Sequence, residues 1–321
     1  MSEKSIQEMT AKELLAHYQA KLDEEARQAK ADGKLVCWSA SVAPPEMCVA
    51  MDIAMVYPET HAAGIGARKG AMDMLEVADR MGYSVDCCSY GRVNMGYMEL
   101  LKEEAMTGKT PEALANSPAA RVPLPDLVIT CNNICNTLLK WYENLARKLN
   151  IPIFFVDCLF NYYEEDPAPH KIKYVRSQIE NYIKDMEKFL GRKFDWDKFL
   201  EVQKRSQINC HLFDEIVALN QRKPAPMSGF DLFNYLAPLV LCRGKESTTA
   251  IFEQLKAEVL EHIANDTSTF PAEEKYRVHW EGIACWPNLG YNLKTLKNYN
   301  VNAVMNGYVT AWDVLYEPGD L

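Results

Sequence analysis

No stretch of this 321-residue chain approaches the roughly 18 consecutive apolar residues that a membrane-spanning helix needs. The N-terminal segment, MSEKSIQEMTAKELLAHYQAKLDEEARQAKADGK, is charged throughout and lacks the apolar core of a secretory signal. Positive charge is also scarce. The 35 Lys and Arg residues against 44 Asp and Glu leave a net charge of -9, which repels phosphate backbones and argues against nucleic acid as a partner. Paired CxxC or CxxH knuckles, the usual mark of structural zinc, are missing. The six histidines, His17, His61, His170, His211, His262 and His279, are scattered. What remains is a cytoplasmic globular protein, with 48% hydrophobic residues to build its core.

Cysteine, by contrast, is plentiful, with ten in the chain. In a reducing cytoplasm cysteines serve as small buried hydrophobes, metal ligands or reactive groups, and the first use is expected of most of them. Residues 5 to 30 carry apolar side chains at helical spacing (Leu14, Leu15, Tyr18, Leu22) and stop at Asp32-Gly33. Five short apolar runs follow, at 35 to 41, 54 to 58, 83 to 88, 126 to 131 and 151 to 158, with helix-like segments at 62 to 82, 94 to 107 and 136 to 149. Strands alternating with helices predict a doubly wound α/β domain with a parallel sheet covered on both faces. Helical periodicity dominates from about 168 to 265, and strand-like runs return at 277 to 286 and 301 to 309 around the helix-like YNLKTLKNY. The expected organisation is an N-terminal helix (1–34), a first α/β domain (35–165), a helical region (166–265) and the beginning of a second α/β domain (266–321).

In a parallel sheet the residues just past each strand gather on one rim, where ligands bind. Here they are Ser41, Glu59, Cys88, Cys131 with Cys135, and Asp157 with Cys158. Cys88 and Cys135 stand 47 residues apart, enough for a strand-helix-strand crossover to bring two thiols to one point. Soft thiolates favour zinc or iron-sulfur clusters, yet each of these cysteines also reads as a buried one, and CxxxC alone is a weak pattern. Glu59, after Pro58 at a helix start, suits proton transfer or serves the helix dipole. Ser41 reads equally as a turn or cap residue near a helix opening at Pro44 or Pro45. His61 reads as a helix-start or surface histidine. Gly64-Ile-Gly-Ala-Arg-Lys-Gly70 has GxGxxxG spacing, which departs from a dinucleotide fingerprint, and its small residues suit close packing of helix on sheet.

Several stretches occur together in one order: YPE followed by AAGI, DCCSYGR, CNNICN followed by KWYE, PAPMSGFDLFN and EGIACWP. In this the chain, from about residue 30 to its last residue, resembles the alpha subunits of 2-hydroxyacyl-CoA dehydratases, the 2-hydroxyglutaryl-, 2-hydroxyisocaproyl- and phenyllactyl-CoA dehydratases among them. The resemblance implies two doubly wound domains with helical insertions and a heterodimer with a related beta subunit. It implies a 4Fe-4S cluster and an ATP-dependent activator that delivers one electron. Water would leave the 2-hydroxyacyl-CoA substrate through a ketyl radical, giving an enoyl-CoA. By position it assigns Cys88 and Cys135 as cluster ligands, with Cys87, Cys131 and Cys285 as packed neighbours. Glu59 would handle the proton or hydroxide, and Ser41 would sit at the substrate end. The family's third cluster cysteine has no counterpart here, and no Asn-Arg-Ser-Cys segment occurs. The alternatives are a subunit related to benzoyl-CoA reductase and a non-catalytic cluster-binding fragment.

Overall fold

The computed structural model describes residues 5–161 and 167–319. The expected boundary between 165 and 166 lies outside them. The chain divides into two compact units, Leu22–Phe199 and Met1–Lys21 with Leu200–Asp320. Helix α1 (Ala11–Ala31) runs through one division point. Its start is a reciprocal capping pair, in which the Thr10 backbone N–H donates to Glu13 Oε2 at 2.8 Å and the Glu13 N–H donates to Thr10 Oγ1 at 3.2 Å. Gly33, with φ of 73°, turns the chain beyond its end.

The unit Leu22–Phe199 is built on four parallel strands, β1 (Val36–Ser39), β2 (Ala54–Val56), β3 (Leu127–Cys131) and β4 (Ile153–Val156), in the order β2-β1-β3-β4. Burial follows that order. VCWS and LVITC are buried at every position, as central strands covered on both faces must be, whereas β4 exposes Ile153 and Phe155 at the edge. Helices α2 (Pro45–Ala50), α3 (Pro58–Ala67), α4 (Met72–Arg80), α5 (Ser89–Thr107), α6 (Glu112–Ala115), α7 (Asn136–Leu149) and α8 (Pro169–Leu190) connect and follow the strands. The fold class expected from the sequence, a parallel α/β domain, is the one observed.

Two expectations fail locally. The run at 83 to 88 is a turn, not a strand. Ser84 Oγ accepts the Asp86 N–H at 3.2 Å, the Cys87 N–H donates to the Ser84 carbonyl at 3.0 Å, and Val85 is 73% exposed. Short Ser and Asp side chains satisfy the backbone locally and leave nothing to pair or bury. Helix α5 consequently opens at Ser89, five residues before the expected start at 94. The segment 62 to 82 is likewise two helices, α3 and α4, broken where Lys69 takes a φ of 61° and Gly70 lies against Pro118, whose Cδ would be 2.3 Å from a Cβ there. The close approach in the GxGxxxG stretch is therefore to a loop, not to the sheet.

Gly96 brings α5 close against α4, since a Cβ there would lie 2.0 Å from the Met74 carbonyl oxygen of α4. Gly96→Ala gains roughly 1 kcal/mol of helix propensity but must push two backbones apart. A net loss of about 2 kcal/mol is expected, read as a lowered urea midpoint; an unchanged midpoint would show that α4 yields freely.

In the other unit, α9 (Trp196–Leu219), which crosses the second division point, is followed by α10 (Gly229–Leu241), α11 (Glu246–Ala264), β5 (Tyr276–Trp280), α12 (Leu289–Asn298), β6 (Val301–Asn306) and α13 (Gly307–Thr310). The expected strand-helix-strand unit is present, with β5 and β6 paired in parallel. PAPMSGFDLFN is a packing motif here. Ser228 caps α10 by accepting the Phe230 N–H at 3.3 Å, Gly229 lets the helix meet the Ala303 carbonyl of β6, and Phe230, Leu232 and Phe233 are buried.

Candidate functional site at the strand rim

From β1 the chain passes outward to β2, and from β3 it passes outward on the other side to β4. The order therefore reverses between β1 and β3, and a crevice opens beyond their carboxyl ends, the place where open α/β sheets bind ligands. The two strand ends are joined there. The Ala40 N–H donates to the Ile129 carbonyl at 2.8 Å, and Cys131 Sγ donates to the Val42 carbonyl at 3.5 Å.

Glu59 reaches this crevice from the first turn of α3, whose first residue is Pro58. Its Oε1 accepts the Ser41 backbone N–H at 2.9 Å and its Oε2 accepts the Tyr142 hydroxyl at 2.7 Å. The structure thus brings the two expected catalytic residues, Ser41 and Glu59, into direct contact. Ser41 is not the cap of α2, a position that Pro44 holds. Burial raises the Glu59 carboxyl above the usual carboxylate range, and the hydrogen bonds from Tyr142 and Ser41 partly counter it.

Cys88 and Cys135 are each the residue preceding a helix, α5 and α7 respectively, and neither side chain caps its own helix. Cys135 is exposed and Cys88 half-buried. Their helices pack together near those ends: Trp141 Nε1 of α7 donates to Asn94 Oδ1 of α5 at 2.9 Å, and Gly91 leaves room for the Trp141 ring. Asn94 and Trp141 each lie six residues after their cysteine, so the contact holds two helix starts, with the positive ends of their dipoles, at one end of the sheet. Cys131 differs in kind. It is 2% exposed, and burial pushes its thiol up to about 11, which keeps it protonated. Five of the ten cysteines are buried, Cys37, Cys48, Cys131, Cys210 and Cys242, so burial accounts for half of them and not for most. Among the described residues no group of three or more His, Cys, Asp or Glu side chains stands ready to hold a metal ion.

Asn132 closes the rim on the β4 side, donating to Asp157 Oδ1 and accepting the Cys158 N–H at 2.6 Å, while the Tyr174 hydroxyl of α8 donates to Asp157 Oδ2 at 2.5 Å. His61 turns to the loop before β3, its Nε2 lying 3.0 Å from the Ala120 carbonyl and its ring edge-on to Tyr97; burial holds its pKa down to about 4. The residue that sequence reasoning missed is Tyr142. It falls on the buried stripe of α7 with Leu138, Trp141 and Leu145. A phenol in such a stripe must find a polar partner, and that was the available signal.

Comparison with known proteins gives this site a context. The sequence profile of the family described as 2-hydroxyglutaryl-CoA dehydratase, D-component, matches residues 40–318. The chain is 57% identical over 317 residues to the lactoyl-CoA dehydratase subunit alpha of Anaerotignum propionicum, an alignment that covers 98% of this chain and 74% of that protein. It is 41% identical to the (R)-2-hydroxyisocaproyl-CoA dehydratase alpha subunit of Clostridioides difficile, over 100% of this chain and 74% of the relative. A more distant relative, a benzoyl-CoA reductase chain of Thauera aromatica, is 24% identical over 85% of this chain and 62% of its own length. No helix among the described residues is long and apolar enough to cross a membrane.

Proposed function

The chain belongs to the family of 2-hydroxyacyl-CoA dehydratase alpha subunits, and from that premise we propose that it is the iron-sulfur subunit of a cytoplasmic (R)-2-hydroxyacyl-CoA dehydratase. It would eliminate water to give an enoyl-CoA, in company with a related beta subunit and an ATP-dependent activator. The observation that carries the reading is Glu59, a carboxyl held by Ser41 and Tyr142 in the crevice at the strand-order reversal.

The cysteines fit a 4Fe-4S cluster as a pair. Cys88 and Cys135 present soft donors at two helix starts that favour the anionic charge of a thiolate-ligated cluster, and they would hold two of its irons. Two thiols alone are an incomplete set for such a cluster. When bound, such a cluster supplies one electron and a Lewis-acidic iron to the thioester carbonyl, the chemistry of the ketyl-radical route. This chain's residues then deal with the proton. Elimination removes the α hydroxyl and a β proton, and Glu59 would take up one proton and give up another while held by Ser41 and Tyr142. Ser41 fixes the carboxyl at Oε1 and lines the substrate end. Because the 57% identical relative is named for lactoyl-CoA, (R)-lactoyl-CoA is the substrate to try first.

The chain should be purified without oxygen together with its beta subunit and activator, and assayed for iron, sulfide and conversion of (R)-lactoyl-CoA to acryloyl-CoA with ATP and a reductant. Iron with turnover is the expected result. An iron-free complex, or one inert toward every (R)-2-hydroxyacyl-CoA offered, would overturn the proposal.

A further inference from the structure

The Tyr142 hydroxyl lies 2.7 Å from Glu59 Oε2 and 2.9 Å from the Ser39 carbonyl oxygen. A phenol has one hydrogen to donate and one oxygen that accepts, so it cannot donate fully to both acceptors. We propose that Tyr142 is the positioning residue that lets Glu59 change protonation state without moving, its single hydrogen swinging between Glu59 and Ser39. With Glu59 ionised, the hydroxyl donates to Oε2. With Glu59 protonated, the carboxyl donates to the Tyr142 oxygen and the phenol hydrogen turns to the Ser39 carbonyl. One proton is gained or lost at Glu59, and no heavy atom has to shift.

Burial is what gives this arrangement its force. Tyr142 and Ser39 are each 0% exposed, so bulk solvent does not reach the phenol oxygen or the Ser39 carbonyl to replace a bond between them. An unmet polar group in such surroundings costs more than the bond it replaces is worth. The other groups facing the pair are of one kind. Cys131 lies toward Glu59, and Tyr57 and Cys37 lie toward Tyr142. All are acids that are neutral when protonated. The hydroxyl therefore stabilises the ion in one state and is released from it in the other. The position follows from the helix: Tyr142 lies seven residues, about two turns, after Cys135, so α7 carries the cysteine at its start and the tyrosine on its sheet-facing side.

The inference rests on Glu59 acting as the proton carrier proposed above, but its test needs no turnover. The carboxyl C=O stretch of Glu59, assigned from its absence in Glu59→Gln, can be titrated by infrared difference spectroscopy on the anaerobically purified complex without substrate or activator. A hydrogen bond to a charged acceptor is worth more than one to a neutral acceptor, by enough to move an equilibrium about tenfold. Tyr142→Phe should therefore carry the protonated band about one pH unit higher than the wild type. Tyr97→Phe removes another buried hydroxyl of the same unit, one that accepts the Val122 N–H at 3.1 Å, and should leave the band in place at a comparable cost in thermal stability. Equal behaviour of the two variants, or a band unmoved by Tyr142→Phe, overturns the inference. Should Tyr142→Phe fail to fold, 3-fluorotyrosine at position 142, a stronger donor of the same shape, must shift the band the other way. A moved band in a complex that never dehydrates any substrate would sink the proposed function and leave the role of Tyr142 standing.

Discussion

Glu59→Gln is expected to lower dehydration by roughly 1000-fold, the scale of a lost general acid-base group, while the fold survives intact. Glutamine has the same shape but no exchangeable carboxyl proton. Its Oε1 can still accept the Ser41 N–H, and its Nε2 can donate to the Tyr142 oxygen while the phenol hydrogen goes to the Ser39 carbonyl, so every group keeps a partner. Stability should even favour the variant as pH rises. The folded-state pKa of Glu59 is raised by burial, so the wild type has its full share of stability below the unfolded value of about 4.3 and loses part of it as pH climbs through the raised one. Glutamine has no such loss. Urea midpoints of the two proteins should thus separate in favour of the glutamine variant between acid and neutral pH, with turnover measured alongside. A variant that loses activity only in proportion to a lower midpoint would reduce Glu59 to a structural residue.

Much of this could be read in the sequence, and the reasons are local. LVCWS and LVITC announce central parallel strands because a strand covered on both faces must be apolar throughout. The placement of Ser41 and Glu59 on one rim follows from parallel topology alone. The run YSVDCC misled because its β-forming residues are few and its Ser and Asp close a turn on themselves. Cys88 still arrives at the same end of the sheet, at the start of a helix instead of the end of a strand. Tyr142 lay beyond reach for a different reason: its partners Glu59 and Ser39 are 83 and 103 residues away, and a buried helical stripe does not say which atom a phenol will meet. The asparagines of CNNICN were equally silent, although Asn132 ties the ends of β3 and β4 together.

Cys131 and Cys135, four apart in one short segment, should respond in opposite ways to the same substitution. Cys135 is exposed at the start of α7 and its side chain makes no cap, so Cys135→Ala should leave the unfolding free energy within about 0.5 kcal/mol of wild type. Iron and sulfide in the anaerobic complex should nonetheless fall to near zero, because a cluster that loses a thiolate loses a corner of its attachment. Cys131 is packed at the end of β3, with its thiol donated to the Val42 carbonyl and kept protonated by burial. Cys131→Ala leaves a small void and an unmet carbonyl, at a cost of about 1–2 kcal/mol, and should retain its iron. The two readouts cross: one variant is stable and empty, the other weakened and loaded. Iron retained equally by both would remove Cys135 from the ligand set, whatever the dehydration assay reports.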